Sequence, residues 1–181
     1  IVEARTGKRV EFRSPDVVAI VDTRFAQVDL DVAPVFFYGR YRKHSREIPQ
    51  TRWPCRACQG NGCKRCGGTG KMYQISVQEI IGEVFLLAAE GKDHFFHGMG
   101  REDIDARMLG TGRPFVLEIT EPRKRHLDLD VLTARANESG KGLADFSGLR
   151  TSNREEVRQI KSAAPDKVYL AEVRPHGKVN K

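Results

Sequence analysis

Four cysteines within twelve residues constrain this chain more than any other feature: Cys55-x2-Cys58-x4-Cys63-x2-Cys66. Two Cys-x2-Cys hairpins turn their thiolates toward one centre, as a tetrahedral structural zinc site requires. The gap between the hairpins is short, and Gly60, Gly62, Gly67, Gly68 and Gly70 allow the tight reversals it needs. A bound ion would add on the order of 10 kcal/mol to local folding, enough to order a loop almost without apolar side chains. Four thiolates leave no open coordination position, so the expected role of Cys55, Cys58, Cys63 and Cys66 is structural, in a knuckle inserted over residues 52–72. Paired disulfides are the rival, and a basic chain of intracellular character argues against them. A redox Cys-x2-Cys would open a helix in a thioredoxin-like unit, which this context does not offer. An iron–sulfur cluster stays open as the alternative to zinc.

The charge is as localised as the cysteines. The chain of 181 residues carries a net charge of +7. Between Arg40 and Lys71 stand nine basic residues, Arg40, Arg42, Lys43, Arg46, Arg52, Arg56, Lys64, Arg65 and Lys71, against the single acid Glu47. The flanking stretches are close to neutral, so the whole excess sits in one segment. A solvated face mixes its signs, and a one-sided segment points to a polyanion. Arg40, Arg42, Lys43, Arg46, Arg52, Arg56, Lys64 and Arg65 are the expected contacts to a nucleic-acid backbone, three of them between the cysteines. A soluble basic loop is the plain alternative. The sequence contains no apolar run of the roughly 18 residues that a membrane helix needs, and its N-terminal residues lack a signal-peptide core. The expected location is the cytoplasm.

A β-branched apolar run predicts a strand over Val17–Val21, alternation predicts one over Gln27–Val32, and Val35–Tyr38 reads as a further strand. Pro49 and Pro54 prevent a continuous helix through the basic segment. The clearest helix is Val77–Glu90, opened by the capping box Ser76/Glu79 and closed by Gly91. Residues 92–113 read as a long Gly-rich stretch with room for one short helix. A strand is expected over Phe115–Ile119, a helix over Leu129–Ala136, a strand over Ala144–Leu149 and a helix over Arg154–Ala163 behind a second capping box, Ser152/Glu155. A last strand is expected over Val168–Val173. Strands and helices mix without a strict βαβ repeat, which indicates an α+β fold.

The segment from His97 to Phe115 packs three carboxylates, three arginines and four glycines into one loop. Glycines let a backbone approach a ligand, and arginines ion-pair a carboxylate or hold a phosphate in a fork. A carboxylate flanked by arginines serves as nucleophile or base. The plain alternative is that Asp103 or Asp105 caps a short helix near Asp105–Leu109.

The run Gly100-Arg101-Glu102-Asp103-Ile104-Asp105-Ala106-Arg107-Met108-Leu109-Gly110-Thr111-Gly112-Arg113-Pro114-Phe115 resembles the active-site motif of a tRNA pseudouridine synthase family. That family is found in archaea and eukaryotes and acts on T-loop uridines 54 and 55. Upstream, residues 39–55, the cysteine block and the start of the helix at Ser76 also resemble its archaeal members. The resemblance implies a pseudouridine-synthase-type mixed sheet with flanking helices. It implies isomerisation of uridine by base flipping, no cofactor for catalysis beyond the structural zinc, no nucleotide cofactor, and the T-arm of tRNA as partner. Asp103 would be the catalytic residue, with Arg101 and Arg107 supporting it and Arg113 a further contact to RNA or to the Asp. His97 is a weaker candidate for touching RNA. Many other pseudouridine synthases carry Leu before the Asp; the resemblance implies that Glu102 is at home in this family, and it makes a second carboxylate available.

The resemblance also implies a division of the chain. Residues 1–33 would be the tail of an N-terminal RNA-binding domain of THUMP type, and residues 34–181 the first part of the catalytic domain. The family pattern continues into a half that supplies an active-site Tyr and a basic partner for the Asp, so this chain alone is expected to be inactive. The alternative reading is a non-catalytic zinc-dependent RNA-binding module. A chaperone-type zinc domain is a third, opposed by the single unrepeated block.

Overall fold

The computed structural model describes residues 2–173. Its centre is a four-stranded antiparallel sheet of order β4-β5-β3-β6, with β3 at Val35–Lys43, β4 at Asp93–Gly98, β5 at Met108–Thr120 and β6 at Ala144–Ser152. Helix α2 (Val77–Ala89) and helix α3 (Leu129–Ser139) supply apolar side chains to the main core on one face, and α4 (Arg154–Ser162) covers the other. A short helix α1 (Val2–Thr6) and a hairpin of β1 (Val17–Asp22) and β2 (Gln27–Val32) stand outside this sheet. The α+β class read from the sequence is the one observed.

Alternation decides which side chains reach the core. On β3, Phe37, Gly39, Tyr41 and Lys43 are buried. Phe37 and Tyr41 join Phe115, Leu117, Ile119, Phe96 and Phe146 against Ile80, Ile81, Phe85, Leu132 and Ala136. Phe36 and Tyr38 face the other way and pack with Val116 against Val157 and Ile160 of α4. Strand β3 is longer than the sequence pattern suggested, so the basic segment begins inside the sheet.

Helix α2 shows why this stretch is so well defined. Its first amides each find an acceptor: Val77 N donates to the Pro49 carbonyl (3.0 Å), Gln78 N to that of Gln50 (2.9 Å) and Glu79 N to Ser76 Oγ (3.2 Å). The capping box closes as Ser76 Oγ donates to Glu79 Oε2 at 2.6 Å. Helix α2 therefore pins residues 49 and 50 beside its N-terminus. Gly82 is required because a Cβ there would stand 2.1 Å from His94 Nδ1 on β4.

Four expectations change. The helix α2 ends at Ala89, and Glu90 rather than Gly91 takes the left-handed conformation, with φ 49. Gly91 is instead kept small by Ile119, whose Cγ2 would lie 2.4 Å from an added Cβ. At α4 the cap is Asn153, which accepts from Glu156 N, so the Ser152/Glu155 box does not form. The loop before β5 holds a turn and no helix, so neither Asp103 nor Asp105 is a helix cap. The expected strand over Val168–Val173 is exposed chain with no ladder among the described residues. Val168 and Leu170 are 99% and 98% exposed, because the sheet built from these residues offers that segment no neighbour. The last eight residues of the expected 34–181 domain lie outside the described residues.

Candidate active site and metal centre

The loop between β4 and β5 carries the Gly-Arg-Glu-Asp motif and is held almost entirely through its carbonyls. Arg113 Nη1 donates to the Met99 carbonyl (2.8 Å) and Gln50 Nε2 to that of Gly100 (3.0 Å). Lys43 Nζ donates to the carbonyls of Asp103 (3.1 Å), Ile104 (2.7 Å) and Ile48 (3.1 Å). Arg46 reaches the carbonyl of Asp105. All three ammonium protons of Lys43 are thereby placed, and its burial pushes its pKa below the usual lysine range. Lys43 was an expected RNA contact; it is 0% exposed because β3 alternation turns it inward.

The two adjacent carboxylates diverge. Glu102 is buried; the Tyr41 hydroxyl donates to its Oε2 at 2.7 Å, and Arg113 Nε lies 3.0 Å from the same oxygen. That ion pair is too bent for a hydrogen bond, and Glu102 Oε1 is without one among the described residues. Burial, and then the Glu102 charge, push the Tyr41 hydroxyl well above the usual phenol range. Arg113, another expected RNA contact, is therefore a buried partner of Glu102 and Met99 rather than a surface cation. Asp103 is exposed. Lys43 draws the Asp103 carbonyl inward, and Asp103 lines a cleft of about 80 Å³ with Arg101, Glu102, Ile104, Pro49, Gln50 and Trp53. Arg101 lies over the Trp53 ring, 5.7 Å from its centroid. Arg107 is exposed on the same loop.

The basic segment sorts itself by partner. Arg40 donates to the carbonyls of Thr111 and Gly112, both at 2.7 Å. Arg42 pairs with Asp145 (2.8 Å), Arg52 with Asp93 (3.0 Å) and Lys71 with Glu79. Arg56, Lys64 and Arg65 make no ion pair among the described residues and are exposed. Arg40 and Arg46 meet only neutral oxygens and keep their charge, so unpaired cations stand both beside the Gly-Arg-Glu-Asp loop and on the cysteine knuckle, where Arg56 and Arg65 line an open cavity of about 440 Å³. His97 is tied to Glu118 at 2.7 Å, beneath α4 and away from the Asp103 cleft.

The four sulfurs converge. Cys63 and Cys66 Sγ are 3.7 Å apart, Cys58 and Cys66 3.9 Å, and Cys55 and Cys63 4.0 Å. All four lie within 4.8 Å of one another. A tetrahedral ion with 2.3 Å bonds to sulfur places its ligands about 3.8 Å apart, while a disulfide needs about 2.05 Å. The residues fit one tetrahedral ion. The amides of Cys63 and Gly70 each lie 3.2 Å from Cys66 Sγ, and they hold that thiol down to about 6. Amides of Ala57 and Cys58 lower Cys55 in the same way. Hydrogen bonds of this kind favour the thiolate, the form that binds metal. The glycines do what the spacing required: Gly70 has φ +70, and a Cβ there would stand 2.2 Å from the Gly60 carbonyl oxygen.

A family model described as Pus10, C-terminal, matches residues 36–181. The chain belongs to the Pus10 family. A protein of Methanothermobacter marburgensis named tRNA pseudouridine synthase Pus10 is 48% identical over 99% of this chain, which covers 47% of that relative. The namesake from Methanothrix thermoacetophila is 45% identical over 94% of the chain and 38% of its own length. That from Methanocaldococcus jannaschii is 44% identical over 99% and 39%. The chain thus spans less than half the length of these Pus10 relatives. The motifs around the cysteines and Asp103 had indicated this family. Four residues around the Asp103 cleft escaped sequence reasoning: Tyr41, Gln50, Trp53 and, as an anchor, Glu102. Continuing the β3 alternation past Tyr38 would have found Tyr41, and Gln50 carries no sequence signal.

Proposed function

We propose that the protein carrying this chain isomerises uridine to pseudouridine in tRNA, with Asp103 as the catalytic carboxylate. The observation that carries this is the division of labour in the Gly-Arg-Glu-Asp loop. Both carboxylates line the cleft, but Glu102 is buried with its Oε2 engaged by Tyr41 and Arg113, while Asp103 is exposed beside Arg101. In this reaction the N1–C1′ bond breaks, the uracil turns and C5 joins C1′. C5 loses a proton and N1 gains one, so no cofactor is consumed. The uridine must first leave its stack, at a cost of a few kcal/mol. Asp103 acts as nucleophile or base, Arg101 fills the vacated stack or holds the flanking phosphate, and Arg107 binds phosphate. T-loop uridines 54 and 55 are the proposed targets and the T-arm the proposed partner, in the cytoplasm.

The four thiolates hold zinc in a structural role, and Arg56, Lys64 and Arg65 on that knuckle grip the RNA backbone. Arg40 and Arg46, bonded only to neutral oxygens, add positive potential, and Arg42 and Arg52 reach RNA by exchanging their Asp145 and Asp93 partners for phosphate. Residues 1–33 belong with a preceding RNA-binding unit. Residues 34–181 form the first part of the catalytic domain, which isomerises nothing without the remainder. The decisive comparison is pseudouridine formation in a tRNA transcript by the full-length protein, wild type against Asp103→Asn. Product from wild type alone, with unchanged melting, is expected. Equal product from both removes Asp103 from its role; tRNA binding with no product from either leaves an RNA-binding module.

A further inference from the structure

The Asp103 cleft and the cysteine centre share a residue that neither motif contains. Trp53 lines the cleft beside Arg101 and Asp103. It also begins the ladder that closes the knuckle. Its carbonyl accepts from Met72 N at 2.9 Å, Pro54 bridges Lys71, and Cys55 N donates to the Gly70 carbonyl at 2.7 Å. That ladder brings Tyr73 edge-on to Trp53, with ring centroids 5.6 Å apart and planes at 83°. Arg101 packs over the same indole. The ring of Trp53 is therefore held by the knuckle through Tyr73 and in turn holds the arginine beside the presented carboxylate.

We propose that Trp53 is a positioning residue that couples metal loading of the four-cysteine centre to the geometry of the Asp103 cleft. This rests on the reading of that cleft as the catalytic site. The physical basis is an asymmetry between the two walls. The wall at Pro49 and Gln50 is pinned by the first amides of α2, and Gln50 reaches Tyr41 Oη (2.7 Å) and the Gly100 carbonyl (3.0 Å) without help from the knuckle. The wall at Trp53 is tied to α2 and β4 only by the partly exposed pairs of Arg52 with Asp93 and Lys71 with Glu79 and by the Arg52 amide on Gln78, and otherwise depends on a loop whose apolar content is close to nil, which folds with its metal. Loss of the ion loosens the second wall and leaves the first. Arg101 then loses the aromatic face that fixes it, and orientation errors of about 1 Å at a reacting centre cost roughly 10²-fold.

Hydrogen exchange on the full-length protein reads the coupling directly. Chelation is expected to speed exchange across residues 53–73 and also across residues 99–107, with α2 unchanged. Opening of residues 53–73 without any change at 99–107 overturns the proposal. In the metal-loaded protein, Trp53→Leu is expected to loosen residues 99–107 at unchanged metal stoichiometry and to lower kcat about tenfold or more with little change in KM. Trp53→Phe, which keeps an aromatic face for Arg101 and Tyr73, is expected to restore both within about threefold. Equal behaviour of the Leu and Phe variants also overturns it. Coupled exchange in a wild-type protein that forms no pseudouridine removes the catalytic reading and leaves the coupling standing.

Discussion

At the scale of residues, burial separates two neighbouring carboxylates that are chemically almost alike. Glu102 satisfies Tyr41 and faces Arg113 inside the fold, so Glu102→Gln leaves a buried guanidinium without its counter-charge. That loss is expected to cost about 3 kcal/mol, roughly 5–12 °C in Tm for a domain of this size, measured by thermal melting. Asp103→Asn changes an exposed side chain and is expected to leave Tm within about 1 °C. Lys43→Met is expected to destabilise as well, because three carbonyls lose their donor. Adjacency in sequence ranks neither acid. Lys43 and Arg113 look like surface cations in a count of charges. Their burial follows from strand parity, which places Lys43 in phase with Phe37 and Tyr41, and Arg113 in phase with Phe115 and Leu117.

At the scale of elements, the knuckle and the β3–β6 pair give separate tests. Gly70→Ala puts a Cβ 2.2 Å from the Gly60 carbonyl oxygen at a positive φ. It is expected to weaken metal retention against a chelator at least tenfold while α2 stays folded, read by metal analysis and circular dichroism. On β6, hydrogen bonding from Arg42, aided by His44, holds the Asp145 carboxyl below the usual range. A depressed folded-state pKa contributes stability that is complete above the unfolded carboxylate value and is lost as pH falls through the folded one. Asp145→Asn is therefore expected to flatten the acid limb of the stability–pH profile below about pH 4. At neutral pH it should cost no more than about 1 kcal/mol, since the pair is partly exposed and screened. The start of α2 was legible because Ser76 and Glu79 form a local hydrogen-bonded box. The α4 cap was misplaced by one residue because Ser152 and Asn153 are both good caps, and β6 retains Ser152.

At the scale of the whole molecule, ion pairs neutralise Arg42, Arg52 and Lys71 of the basic segment and Lys43 is buried, while the knuckle presents Arg56, Lys64 and Arg65 without acidic partners among the described residues. Binding to tRNA is expected to weaken steeply with salt. Replacing Arg56, Lys64 and Arg65 together by Gln should lower the log–log slope by roughly 2–3 units, measured by filter binding across a salt series. An unchanged slope would move the RNA interface elsewhere. The hairpin β1–β2 leaves Val18, Ile20, Val28 and Leu30 exposed outside the central sheet, and no helix among the described residues is long and apolar enough to cross a membrane.

Elements whose causes are local could be read from residue order. Cysteine spacing with glycines between, a capping box and alternating apolar runs each specify structure within about a dozen residues, and two long motifs specified the family. Folding in three dimensions was needed to bury Glu102 and expose Asp103, to pair some cations and leave others, to set Trp53 between the cysteine centre and the cleft, and to leave Val168–Val173 without a ladder among the described residues. Those outcomes depend on partners far apart in the chain, Lys43 with Asp103 and Tyr41 with Glu102. The cost of burying a polar group is settled only when the strand beside it is in place.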